Sequence, residues 1–421
     1  MNTLRAASIV LVLVLVPGCG PSGPPVTAFT GATVWDGTGN DPVADATIVV
    51  QEGRIVSVDA GRDLPAGATV VDLAGRCVMP GLVNAHGHVS GRWAHGGVQD
   101  ELERVRGDLE LFARYGVTTV NSLGDGEIVI AAADSASPTD ARARLMAAGP
   151  VIESTEPAQA RADALANADA GADWLKLRVD DNLGTSEKMP WDAVAAVLEV
   201  GAERGLPVAT HLFYLEDAKR LLTMGTDMVA HSVRDTEVDE AFVDQLLASD
   251  ACYVPTLTRE VSTYIYADRP FFFDDPFFTE HASTDEVERL SAAEYMTRVA
   301  ESPAAAGYRE ALDQAMANLK ILVDEGAMVA MGTDAGPAGR FPGYFEHLEL
   351  WMMVAAGLTP AQALVSATSV AAACAKADGV GTLEPGMWAD FLVLRDDPLE
   401  DIQATRSLER VYVAGSEVSG G

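Results

Sequence analysis

At 421 residues, with 48% hydrophobic and 22% charged, the chain can bury a large core, either as about two or three ordinary domains or as one α/β barrel. A formal net charge of −33 repels phosphate backbones and argues against nucleic acid as a partner. With 38 Gly and 21 Pro the composition is ordinary, which argues against a collagen-like or low-complexity chain.

The chain opens with a short positive segment, Met1 to Arg5, and an unbroken apolar run, Ala6 to Val16. That run is short for a bilayer span but suits the apolar stretch of an export signal, expected over residues 1–18. Val16-Pro17-Gly18-Cys19 resembles a bacterial lipobox, in which Cys19 is lipidated and becomes the new N-terminus; cleavage further on is the competing expectation. Gly20-Pro21-Ser22-Gly23-Pro24-Pro25 reads as part of a flexible tether over 19–27. The expectation is an exported protein of the cell envelope, on the periplasmic or extracellular face, touching the membrane only through its lipid anchor.

Strand patterns follow at Val26 to Val34, Ala46 to Val50, Arg54 to Val58 and Ala68 to Asp72, with Glu52-Gly53 as a hairpin turn. Similar patterns close the chain at Asp390 to Leu394 and Arg410 to Val413. Neither flank alone has enough strands for stability, so 28–79 and 380–418 are expected to pair as a small discontinuous β-sandwich domain.

Between them, over 80–379, a helical pattern ending in Gly and followed by a short apolar run recurs. It is seen at Gly116, Gly171, Gly205, Gly225 and Gly326. Gly after a last helical turn is an αL cap, and the run beyond it a buried parallel strand. That rhythm predicts a (β/α)8 TIM barrel; an open doubly wound sheet is the alternative, without support from any Gly-x-Gly-x-x-Gly. Cys77, Cys252 and Cys374 lie in apolar contexts without metal or redox spacing, and read as small core residues rather than a disulfide framework.

The ends of these strands carry the chemistry. The first closes on His86-Gly87-His88, and later ones end at Lys176, His211, His231 and Asp334. In a barrel, such ends converge on one face. A single His there is more often a satisfied core residue. Five strand ends carrying four His, one Lys and one Asp, in a chain with 7 His, call for a common cause. The mixture of imidazole and carboxylate suits Zn²⁺. Lys176 lies in Trp174-Leu175-Lys176-Leu177, where burial would favour the neutral amine; reaction with CO₂ gives an anionic carbamate able to bridge two metals.

Met79-Pro80-Gly81-Leu82-Val83-Asn84-Ala85-His86-Gly87-His88 resembles the first-strand signature of the amidohydrolase superfamily, and Gly332-Thr333-Asp334-Ala335 its eighth-strand aspartate. The runs 356–364 and 385–391 are similar to its C-terminal stretches, so the resemblance covers about Ala28 to Val413. It points to the branch of imidazolonepropionase-like proteins and Xaa-Pro dipeptidases. It implies that His86, His88 and Asp334 bind one metal and His211 and His231 a second, with Lys176 as bridging N6-carboxylysine. The implied cofactors are two divalent ions, with zinc expected. The implied activity is hydrolysis of an amide or ester bond, in an Xaa-Pro dipeptide or N-acyl amino acid, by a metal-bridging hydroxide with Asp334 as catalytic proton shuttle. Cyclic amide or lactone opening, and a phosphotriester side activity, are the alternatives. A tethered solute-binding lipoprotein is the rival from another class.

From Thr258 to about Ser302 an insertion follows the seventh strand, with Tyr264, Tyr266, Phe271-Phe272-Phe273 and Phe277-Phe278. It reads either as a lid over the site or as rings packed on the barrel. Tyr264, Arg178 and Arg234 are the candidate contacts to a small-molecule substrate, the arginines as carboxylate clamps. A homo-oligomer is left open.

Overall fold

The computed structural model describes residues 24–61, 64–93 and 98–419. The expected signal over 1–18, Cys19 and the first part of the tether lie outside the described residues. Strands β1 (Val26–Val34), β2 (Val43–Gln51), β3 (Arg54–Ala60), β4 (Thr69–Asp72) and β5 (Cys77–Pro80) come first. Glu52 and Gly53 both have positive φ, 52° and 77°, the twist that suits a two-residue hairpin, and Gln51 pairs with Arg54 across it.

The parallel strands follow as β6 (Leu82–Gly87), β7 (Val117–Ser122), β8 (Arg144–Ala147), β9 (Leu175–Arg178), β10 (Val208–His211), β11 (Met228–Ala230) and β12 (Cys252–Val254). The chain closes with β13 (Phe391–Leu394), β14 (Leu408–Val413) and β15 (Ser416–Glu417).

The two chain ends share one sheet, in the order β15-β14-β13-β5-β1-β2-β3, with β4 beside β1. The junction is β13 against β5, where Phe391 faces Pro80 and Leu394 faces Cys77. Phe29, Phe391 and Tyr412 stack in its core, with ring centroids 4.7 to 4.9 Å apart. β5 then runs through Gly81 into β6. A Cβ at Gly81 would fall 2.1 Å from Thr118 Oγ1, so the close approach of β6 to β7 needs glycine.

The central strands are parallel throughout, as β6-β7-β8 and β9-β10-β11-β12. Ile152 N–H donates to Lys176 O (2.8 Å) and links the two sets. Residues 328–333 carry the pairing from β12 back to β6. Ala330 N–H donates to Tyr253 O (3.0 Å), Ala85 N–H to Met331 O (3.0 Å) and Thr333 N–H to His86 O (3.0 Å). The result is a TIM-barrel-like α/β fold. Gly205 and Gly225, expected as helix caps, have φ of 67° and 92° and end the helices Trp191–Arg204 and Leu215–Met224.

Under the strand starts lies the helix Ser369–Ala375, and Trp174 Nε1 donates to Ala375 O (3.1 Å). The cysteines depart from the expectation of small core residues without a disulfide. Cys252 and Cys374 are buried, but they form a disulfide; Cys77 is the free one among the described residues. Their sequence separation of 122 hides the pairing, which arises only when the helix packs under β12.

The insertion is mostly helical, and its rings pack inward. Tyr266, Phe272, Phe273 and Phe278 are buried against one another and against Phe341 and Tyr344, while Phe271 is 63% exposed. Tyr266 O–H donates to Gly339 O and Glu286 accepts from Gly339 N–H (2.7 Å), tying the insertion to the loop after Asp334. Among the described residues no helix is long and apolar enough to cross a membrane.

Candidate metal centre

β6 ends in Asn84-Ala85-His86-Gly87-His88. Asn84 Oδ1 accepts from His86 N–H (2.9 Å), and its amide donates to Glu346 Oε1 (2.5 Å) and Thr333 Oγ1 (2.8 Å). The end of β6 and the segment leading into Asp334 are thereby held by one buried carboxyl, since Thr333 O–H also donates to Glu346 Oε1 (2.9 Å). His86 Nε2 lies 3.2 Å from Lys176 Nζ and 3.7 Å from Asp334 Oδ1, and its Nδ1 is buried without a hydrogen-bond partner. His88 sits between two carboxylates: Nε2 is 2.7 Å from Asp334 Oδ1 and Nδ1 is 3.2 Å from Asp125 Oδ2.

His211 and His231 arrive from β10 and the residue after β11, their ring centroids 4.1 Å apart, with His231 4.6 Å from His86. His211 Nε2 lies 2.7 Å from Asp180 Oδ2, and His231 Nδ1 lies 2.6 Å from Thr256 Oγ1. His231, Thr256 and Asp334 all have positive φ, 89°, 51° and 56°. Strained backbone of this kind persists where the surrounding packing fixes it, and it gathers at working sites.

Burial sets the charge states. It holds His86 and His231 well below the ordinary imidazole range and His211 down at about 3, leaving neutral rings with free lone pairs. It also lowers Lys176, 2% exposed, to about 7, so a neutral amine is available near neutral pH. Burial would depress His88 as well, but Asp125 and Asp334 outweigh it and raise it to about 9. Burial works against ionised Asp334, yet Arg340, followed by His88 and His86, holds it well below the carboxylate range. Arg340 donates to Asp334 Oδ2. The site therefore joins neutral imidazoles to an ionised carboxylate. His86, His231 and Asp334 offer donor atoms within 4.8 Å of one another, a nitrogen and oxygen set that fits a divalent ion.

All six residues expected from the sequence lie in this region. The three candidate substrate contacts do not share it equally. Arg178 lies 3.5 Å from both Glu153 and Asp180 and donates to Asn182. Arg234 is 2% exposed and donates to Leu212 O (3.0 Å) and Ser232 O (2.5 Å). Tyr264 lies under Arg309 and opens onto a cavity lined by Ala267, Val299 and Ala305, away from the metal-binding set.

Sequence reading missed Asp125 and Asp180, which hold His88 and His211, as well as Thr256 and Arg340. With 62 acidic residues in the chain, an Asp two or three positions past a strand is no signal by itself. Only the fold reveals which ones meet an imidazole.

The chain is similar to several known proteins. The imidazolonepropionase of Deinococcus radiodurans is 27% identical over 406 residues, 89% of this chain and 92% of that protein. The 5-methylthioadenosine/S-adenosylhomocysteine deaminase of Halobacterium salinarum is 28% identical over 84% of this chain and 81% of its own length. A Xaa-Pro dipeptidase structure with bound methionine superposes with a TM-score of 0.74 at 20% identity, covering 94% of this chain and all of that one (100%). Phenylurea hydrolase B gives 0.72 at 22% identity, over 93% of this chain and 96% of its own. The model of the amidohydrolase family matches residues 77–418, most of the chain, and the protein belongs to that family.

Proposed function

We propose that this enzyme is a binuclear metal-dependent amide hydrolase acting on an open substrate, a dipeptide such as Xaa-Pro or an N-acyl amino acid. His86, His88 and Asp334 would hold one ion, His211 and His231 the other, and N6-carboxylated Lys176 would bridge them, with zinc the expected metal. The supporting observation is Lys176 Nζ, buried and lowered to about 7, 3.2 Å from His86 Nε2. An unmodified ammonium there would stand against imidazoles in a dry pocket. The ammonium first loses one proton to water. The neutral amine then attacks CO₂, the N–C bond forms as a C=O π pair moves onto oxygen, and a second N–H proton leaves to water, so a cation becomes an anion.

Bound divalent ions supply Lewis acidity toward a carbonyl and acidify water. The chain's own groups then manage protons. Asp334, ionised and held by Arg340, accepts the proton of the attacking water and returns it to the leaving amine. Asp125 and Asp180 fix the imidazole orientations of His88 and His211, as outer carboxylates commonly do.

The proposal extends to organisation and place. Residues 80–379 would be a closed (β/α)8 barrel, with 28–79 and 380–418 as a β-sandwich unit. The chain would be exported and anchored through Cys19. The Cys252–Cys374 disulfide supports export, since such bonds persist in oxidising compartments.

Metal analysis with a substrate panel tests the reading. Two ions per chain and cleavage of open dipeptides or N-acyl amino acids are expected. Cyclic amide opening alone would favour the second reading, which the imidazolonepropionase likeness supports. One tightly held ion with unmodified Lys176 would overturn the binuclear assignment.

A further inference from the structure

The buried charges beside the centre do not balance. After β12 the chain turns at Thr256 and enters the short helix Leu257–Val261, fixed by Glu349, which accepts from Leu257 N–H, Thr258 N–H and Thr258 O–H, each at 2.7 Å. This helix presents Arg259 and Glu260 at the strand end whose Thr256 holds His231. Glu260, 1% exposed, is the partner of two guanidinium groups: Arg234 Nε is 3.1 Å from its Oε1, and Arg259 Nη1 is 3.2 and 3.1 Å from its two oxygens. Two cations on one carboxylate leave one positive charge over, a costly arrangement in a buried cluster unless an anion completes it.

The carboxylates whose fields reach this cluster are engaged elsewhere. Asp334 meets Arg340 and His88, and Asp180 meets His211 and Arg178. Arg234 is closed off, stacked on Phe213, and its Nη2 is buried without a partner. Arg259 is different. It is 7% exposed, lies on the Tyr308 ring at 4.4 Å, and reaches Tyr308 O–H only at 3.4 Å through Nη2. It stands on the helix that begins one residue after Thr256, whose Oγ1 is 2.6 Å from His231 Nδ1. Thr258 Oγ1 of the same turn lies 3.2 Å from Thr333 O, next to Asp334, so the guanidinium springs from the wall of the metal-binding set.

We propose that Arg259, backed by Glu260 and Arg234 and flanked by Tyr308, is the specificity-determining residue that binds a free carboxylate on the amine half of the substrate. A planar guanidinium suits a carboxylate, and the incoming anion cancels the surplus charge. A substrate lacking that charge leaves the cluster uncompensated, which is how a site rejects a near-isostere. The inference deepens the amide-hydrolase reading above and rests on it for the substrate class.

The test uses full-length metal-loaded protein with L-alanyl-L-proline, N-acetyl-L-leucine and the C-terminal amide of each. Turnover is followed by amine release and binding by calorimetry. The wild type should favour the acids in kcat/KM by roughly 10- to 100-fold, the size expected of a charged hydrogen bond. Arg259→Met should collapse that ratio to near one, mainly through KM, while metal content stays at the wild-type level. The variant leaves Glu260 paired one to one with Arg234. Tyr308→Phe, which removes a single hydroxyl, should reduce the ratio by a smaller factor if Arg259→Met fails to fold. Equal use of acids and amides by the wild type would overturn the carboxylate site and leave amide hydrolysis standing. If none of the four is cleaved, the hydrolase reading fails for these substrates, and binding alone decides. Acids bound over amides, with the difference lost in Arg259→Met, supports the site; no difference overturns it.

Discussion

The two ends of the same strands follow opposite rules. Where the strands begin, Val83, Met228 and Cys252 pack with Trp174 and with Ala371 and Cys374 of the helix beneath, and the indole N–H that reaches there is satisfied. Where they finish, His86, Lys176, His231 and Asp334 are buried, two of them on left-handed backbone, and His86 Nδ1 has no partner. Apolar burial stabilises by about 25 cal/mol per Å², whereas each buried polar group costs free energy unless something completes it. The floor holds the fold together, and the rim keeps an unmet demand for ligands.

The sharpest way to break this contrast is at the rim. Lys176→Ala should remove the proposed bridging group, with turnover lower by about 10²- to 10⁴-fold, partly restored by short carboxylates that fill the space. Asp334→Asn should lose as much and resist rescue, because the amide cannot take a proton. Metal content and kcat with and without added acetate or propionate decide it. Near-native turnover and full metal content in Lys176→Ala would reduce Lys176 to an ordinary strand-end lysine.

Changing the floor should move stability and spare chemistry. Replacing Cys252 and Cys374 by Ser should cost about 2–5 kcal/mol, as for loss of a native disulfide in a small secreted domain, and lower Tm under non-reducing conditions. Turnover at 25 °C per folded molecule should stay at the wild-type level. An equal loss of kcat in the double variant would mean that the two ends are coupled.

How much of this could be read from the residues divides along the same line. The strand ends stand out in the sequence because parallel strands carry theirs to one side of the sheet, and the fold brings His86, His88, Lys176, His211, His231 and Asp334 into one region. The glycine caps at 205 and 225 and the Glu52-Gly53 hairpin were legible because they are local. What stayed hidden depends on distant segments meeting. Cys252 finds Cys374, Glu346 reaches Asn84 and Thr333, and Glu260 joins two arginines only after folding. The insertion's phenylalanines allow two readings from composition, and the packing of Phe272 and Phe278 against Phe341 and Tyr344 arises only once the chain is folded.

The pH dependence of stability offers a subtler probe of the carboxyl beneath the rim. Burial raises Glu346 from 4.5 to about 7, and its Oε2 has no partner. A raised folded pKa means the native state holds a proton that the unfolded chain has lost. Its contribution is full below about 4.5 and fades as pH rises through 7, by at most about 3 kcal/mol. Glu346→Gln stays neutral throughout and can accept from Asn84 and Thr333 as before. Denaturant unfolding at pH 4.5 and 7.5 should show a smaller fall for the variant than for the wild type. Parallel falls would mean that Glu346 is ionised in the native state.

The smallest effect expected at the rim is the most diagnostic of how it holds an ion. Asp125 accepts from Val89 N–H (2.9 Å) and from Ser122 O–H, so its carboxylate is fixed before it meets His88 Nδ1. It acts on the ring without being one of the proposed ligands. Asp125→Asn keeps the shape and removes the charge, leaving His88 with Asp334 as its remaining carboxylate. The expected loss is about 10- to 100-fold in metal affinity, the usual weight of an orienting partner. Competition against a chelator of known affinity measures it directly, and kcat at saturating metal should change far less. If affinity is unchanged and kcat falls instead, Asp125 moves a proton in the reaction, and the division between ligand-holding and proton-moving carboxylates must be redrawn with Asp125 beside Asp334.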